Sequence, residues 1–199
     1  MKESEDEEQS EHQPDPVGWR LDACGGPWHG ARVYQRLPGS SNYTSVPMNT
    51  APALITRLEA ARDETLSYYA LSDSDLAKTY GPGKWSVRFL LHHLADSETV
   101  LYDRICRVIS EPRQVLWVYD ENAWAKGRDY ATLPLSLSRP IYESVRGANI
   151  HHVQQHYDSK GHLEFVHSVT GVRTLKDEMD KVAAHNEHHL AQIRTALGS

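Results

Sequence analysis

Cysteine is nearly absent from this chain of 199 residues: there are two, Cys24 and Cys106. Two cannot build a disulfide framework or a Cys-rich zinc site. Cys106 lies among apolar residues of helical spacing, where a buried thiol is the ordinary expectation. A basic stripe is also missing; the net charge is -6 with both signs interspersed, which argues against a nucleic-acid binder. No apolar run approaches the ~20 residues of a spanning helix, so no membrane role is expected. The opening "MKESEDEEQSEHQPD" has no apolar stretch of the kind a secretory signal carries, and the expected compartment is cytoplasmic. No internal repeat is visible.

What is present divides into three stretches. Residues 1–16 are acidic and polar, too poor in apolar surface to offset ordering entropy, and are expected to be disordered. Residues 17–50 form an N-terminal extension, read as a loop or a short hairpin of "GWRLDA" and "ARVYQRL" around "CGGPWHG"; Trp19, Trp28 and Tyr34 should pack, since large aromatics seldom stay in water. From residue 51 onward the pattern is helical. Pro52 suits a first turn, Ser86 and Thr174 are good N-caps, and Pro112 stops the second long helix. A third long helix is expected after Pro140, and a fourth from Thr174 to about Leu197. "GHLEFVHSVTGVRTL" reads as a connector, with strand confined to residues 17–50. Four amphipathic helices predict an all-α four-helix bundle in residues 51–199.

The chemistry lies in the histidines, 12 of them. At roughly 100° per residue, Leu175, Met179, Val182, Asn186, Ile193 and Leu197 mark the buried stripe of the last helix. His189 lies on its edge and His185 about 40° further round, one above the other at i and i+4. In the second long helix His93 flanks the apolar stripe of Val87, Leu90, Leu94, Leu101 and Ile105, while His92 lies almost opposite. His92 and His188 should therefore face water. Neutral imidazoles of His93, His185 and His189 would leave a divalent metal with open positions, the mark of a reactive site. Spacing alone equally admits hydrogen-bonded core or surface histidines, and a rival pair, His152 and His156, has the same i, i+4 spacing.

Three segments carry a resemblance. "GKWSVRFLLHHLADSE" resembles the second-helix signature of the DinB/YfiT-like superfamily. "YDENAWA" resembles a Tyr-Asp-Glu segment of its YfiT-like branch, and "GVRTLKDEMDKVAAHNEHHLAQI" resembles the closing signature. Together they span roughly residues 51–197 in the family order. The resemblance implies a DinB-like four-helix bundle, commonly a homodimer, with zinc or nickel on three histidines. Carried over by motif, these are His93, His185 and His189, the set the helical angles select. Glu98 and Gln192 stand where some members carry histidine, and the first 50 residues match nothing in the family pattern.

The resemblance also implies two activities. The leading one is transfer of a small cellular thiol to an electrophile, since a bound cation lowers a thiol's pKa. The other is amide or ester hydrolysis, since it likewise lowers the pKa of water. A third reading is a non-catalytic metal-binding dimer that recruits a partner. Glu98 and Asp96 are the candidate catalytic carboxylates. A buried Glu98–arginine pair and a supporting role for Asp96 are the competing readings. Gln192, Trp124, Tyr102 and Arg104 are candidate substrate-binding residues; packing or plain helix surface would explain them too.

Overall fold

The computed structural model describes residues 33–36, 43–46 and 50–198. It divides into two compact units, residues 1–48 and 49–199. In the first, β1 (Val33–Arg36) pairs antiparallel with β2 (Tyr43–Val46), Val33 opposite Val46 and Arg36 opposite Tyr43. β1 falls within "ARVYQRL", and among the described residues it pairs with the "YTSV" stretch. The acidic tail, "GWRLDA" and the packing of Trp19 and Trp28 lie outside the described residues.

In the second unit four long helices carry the fold: α1 (Ala51–Tyr68), α3 (Val87–Ser110), α5 (Leu135–His156) and α6 (Leu175–Leu197). Short α2 (Asp73–Leu76) and α4 (Glu121–Gly127) lie on the α1–α3 and α3–α5 connections. The starts of α1, α3 and α6 are fixed by side-chain caps. The Thr50 and Ser86 hydroxyls accept from the amides of Ala53 and Phe89. Thr174 and Asp177 form a reciprocal capping box at α6, satisfying amides that the first helical turn leaves without partners. α3 and α1 each pack on both α5 and α6. One apolar cluster runs through Leu54, Leu58, Leu101, Ile105, Val153, Leu175, Met179 and Val182. A second, through Leu76, Val87, Leu90, Leu94, Tyr142 and Ile193, fills the other end.

Two expectations need correction. The third long helix begins at Leu135, so Pro140 sits inside it; a proline just past the first turn forfeits a single backbone bond, which packing on α1 and α3 offsets. The connector between α5 and α6 is not strand-free. β4 (Glu164–His167) pairs antiparallel with β5 (Gly171–Thr174) and parallel with β3 (Val115–Leu116). Along β4 burial alternates. Phe165 and Leu116 join the helical core, the period-2 pattern of a half-buried strand. Among the described residues no helix is long and apolar enough to cross a membrane.

Candidate metal centre

The site lies where α3 meets α6. His93 comes from the most enclosed part of α3, where residues 90–98 are all buried. His185 and His189 rise one turn apart from α6, half-buried. Their three Nε2 atoms form an equilateral triangle, each 3.1 Å from the other two. Among the described residues this is the one group of three or more histidine, cysteine or acidic side chains whose ligand atoms converge closely enough to share an ion.

The surroundings settle how the rings present themselves. Gln192 Oε1 lies 2.8 Å from His189 Nδ1, and the Gln192 amide nitrogen 3.0 Å from His188 Nε2. An amide oxygen only accepts, so His189 Nδ1 carries the proton and its Nε2 lone pair faces the triangle. Beside His93, Ser97 Oγ lies 3.4 Å from Nδ1 and 3.3 Å from Nε2, Tyr119 Oη lies 3.4 Å from Nδ1, and these two hydroxyls hydrogen-bond to each other. The indole of Trp85 meets the His93 ring edge-on at 5.1 Å. Burial, reinforced by His189 and His188, pushes His93 down to about 3. Burial likewise holds His185 well below the usual histidine range, with His189 and His93 adding to it. Both rings are neutral near pH 7, the form in which imidazole ligates metals.

The triangle fits a metal ion. Two imidazole nitrogens at 2.0–2.1 Å from a tetrahedral zinc lie about 3.3–3.4 Å apart, close to the 3.1 Å observed. Three ligands on one side leave the other side open. Beside the triangle stands Glu121, at the start of α4, its carboxylate 3.8 Å from His93 Nε2 and about half exposed. Tyr119 is pushed up to about 12, mainly by burial, and packs edge-on against Trp124 at 5.0 Å.

The other residues singled out from the sequence are placed less centrally. Asp96 is buried, bound by Arg128 and, at 2.5 Å, by the Tyr130 hydroxyl; it anchors the α4–α5 connection. Glu98 is also buried, its two oxygens held by Arg146 at 2.8 and 2.7 Å and one of them by Asn149 at 2.8 Å. Of its two readings, the Glu–Arg pair is the one observed, with no histidine contact. Arg104 is buried against Glu178 and donates to the Trp117 carbonyl. Tyr102 packs on His152, whose Nε2 lies 3.5 Å from Cys106. Gln192 holds His189, and Trp124 reaches the site through Tyr119.

His188 is exposed, as the helical angles require. His92 is not: it is fully buried, with Nδ1 2.7 Å from Ser138 Oγ and its ring against Tyr130. The angular argument assumes one wet face, and residues 119–138 cover that face of α3. Glu121, Tyr119 and Ser97 were not selected from the sequence. The first two lie within or beside "YDENAW", and that motif was the available signal.

The sequence profile of the DinB superfamily matches residues 57–193, which include all three histidines. A protein of Oceanobacillus iheyensis named "Putative metal-dependent hydrolase" is 31% identical over 65% of this chain and 75% of its own length. YfiT of Bacillus subtilis, which bears the same designation, is 31% identical over 62% of this chain and 70% of its own length. The solved structure of YfiT, described as a probable metal-dependent hydrolase with an unusual four-helix bundle topology, superposes with a TM-score of 0.67. At 27% identity it covers 77% of this chain and 89% of YfiT. On this match of sequence and fold, the chain belongs to the DinB superfamily.

Proposed function

We propose that the chain is a metal-dependent hydrolase of small amide or ester substrates, with a divalent cation, zinc or nickel, held by His93, His185 and His189. The convergence of three Nε2 atoms at 3.1 Å carries this reading. The names of the relatives support hydrolysis. When bound, the cation supplies Lewis acidity, lowering the pKa of a coordinated nucleophile and polarising a carbonyl.

The chain's own groups do the rest. Gln192 fixes the tautomer and tilt of His189, and the Ser97 and Tyr119 hydroxyls flank the His93 ring, the arrangement by which outer groups tune ligands. Glu121 takes the proton from the nucleophile and returns it to the leaving group, a role supported by its half-exposed carboxylate 3.8 Å from the ligand atom of His93. Trp85, Tyr119 and Trp124 make an aromatic wall that excludes bulk water from His93. Transfer of a small thiol to an electrophile would use the same groups, with the thiol in place of water.

The test is a turnover screen of the metal-loaded protein on activated esters and amides, with and without added thiol. Hydrolysis predicts turnover without thiol; an absolute thiol requirement would replace hydrolysis by transfer. Glu121→Gln should lower kcat by roughly 10²- to 10⁴-fold with metal content unchanged. Unchanged kcat would remove Glu121 from the mechanism.

A further inference from the structure

Residues 117–120 join β3 to α4 and have no regular secondary structure. They carry Tyr119 and lead into Glu121, the two groups of the α3–α5 connection that approach His93. Burial of the first side chains does not hold this segment, since Trp117 is 76% and Val118 52% exposed. It is held at the backbone. Arg104 donates to the Trp117 carbonyl at 2.6 Å, and the Val118 amide donates to Ser168 Oγ at 2.9 Å. That carbonyl and that amide belong to one peptide unit. Bonds to opposite edges of a rigid plane fix its rotation, and with it the direction in which the chain continues to Tyr119. Ser168, directly after β4, is itself tied back by its amide to the Leu116 carbonyl at 2.9 Å.

Arg104 is buried and pairs at 3.1 Å with Glu178, also buried. A buried pair of this kind adds little stability over apolar side chains of similar volume. What it provides that they cannot is a donor held in a fixed place, and here the donor meets the 117–118 peptide. Arg104 stands about three turns beyond His93 on α3, ~16 Å along the axis, so it reaches the metal centre only through this segment. We infer that Arg104, set by Glu178, and Ser168 are positioning residues: by gripping the 117–118 peptide from two sides they place Tyr119 and Glu121 beside His93. The effect on turnover rests on the hydrolase reading; the effect on Tyr119 does not.

The experiment uses the full zinc-loaded chain labelled with fluorotyrosine, the Tyr119 fluorine NMR signal being the one lost in Tyr119→Phe. Two variants release the peptide. Ser168→Ala removes one acceptor from an exposed side chain, and Arg104→Met with Glu178→Met removes the other grip without stranding a charge. In both, the Tyr119 signal should shift or broaden while the other tyrosine signals stay in place, which also reports that the fold is intact. Zinc content should not change. Turnover should show kcat lowered roughly ten- to a hundredfold at unchanged KM, because a displaced base is felt in the transition state and not in substrate binding. Ser168→Thr, which keeps the hydroxyl, should restore both signal and kcat. A Tyr119 signal unmoved in both variants overturns the inference whatever the turnover. So does an unchanged kcat once that signal has moved. A wild type without turnover defeats the hydrolase reading instead, and the Tyr119 signal alone then decides.

Discussion

Replacing Gln192 by leucine keeps the side chain's size and removes the acceptor for His189 Nδ1–H. In the structure that bond is 2.8 Å long and holds the His189 lone pair toward His93 and His185. Once a cation is bound, the imidazole proton is more acidic and the bond becomes charge-assisted, worth ~1.5–3 kcal/mol. Losing it converts to roughly a 10- to 100-fold weaker metal affinity. The assay is competition of the protein against a chromophoric zinc chelator. His188→Ala separates the causes. His188 meets the Gln192 amide at 3.0 Å and lies off the triangle, so its loss should change affinity by no more than about threefold. Gln192→Glu, which keeps an acceptor, should bind at least as tightly as wild type. Equal affinity for Gln192→Leu and wild type would refute the claim that Gln192 orients the ligand.

Three further outcomes follow from groups away from the triangle. Glu98→Ala leaves the fully buried Arg146 guanidinium without its carboxylate and should cost about 3–5 kcal/mol in urea unfolding; a loss below about 1 kcal/mol would mean that the pair is hydrated in solution. Combining it with Arg146→Met should restore most of that loss, because the isolated charge is then gone. His92 and His167 are both held down to about 4, chiefly by burial, aided by Arg88 and Arg104 respectively. Between the unfolded value of ~6.5 and about 4 the unfolded chain binds the extra protons, so stability is full above that window and falls as pH drops through it, by up to ~1.4 kcal/mol per unit for each group. His167 accepts from the amides of Val169 and Thr170, and His167→Asn, which keeps an acceptor there, should flatten that pH slope in urea titrations; an unchanged slope would exclude His167 as a source.

The triangle was legible because two regular helices carry it. A period of 3.6 residues fixes which side of α6 holds His185 and His189, and the same arithmetic puts His93 beside the α3 stripe. The caps at Ser86 and Thr174 were legible for a similar reason, since both are local. His92 was misplaced because its burial depends on Tyr130 and Ser138, some 40 residues away in sequence. The sheet was missed because β3 has two residues and its partner strand follows some fifty residues later. Glu98 shows a different limit. Its place on the apolar side of α3 was evident, but not whether Arg146 on another helix would meet it. Glu121 escaped because nothing local to α4 shows that it faces His93.

The claim on which the rest depends is that His93, His185 and His189 hold one divalent ion. Elemental analysis of the purified chain, loaded with zinc or nickel and freed of excess by gel filtration, tests it directly. The account predicts one ion per chain in wild type and in His188→Ala, and far less than one in His93→Ala, His185→Ala and His189→Ala. Full occupancy in His189→Ala, or none in wild type after loading, would contradict it.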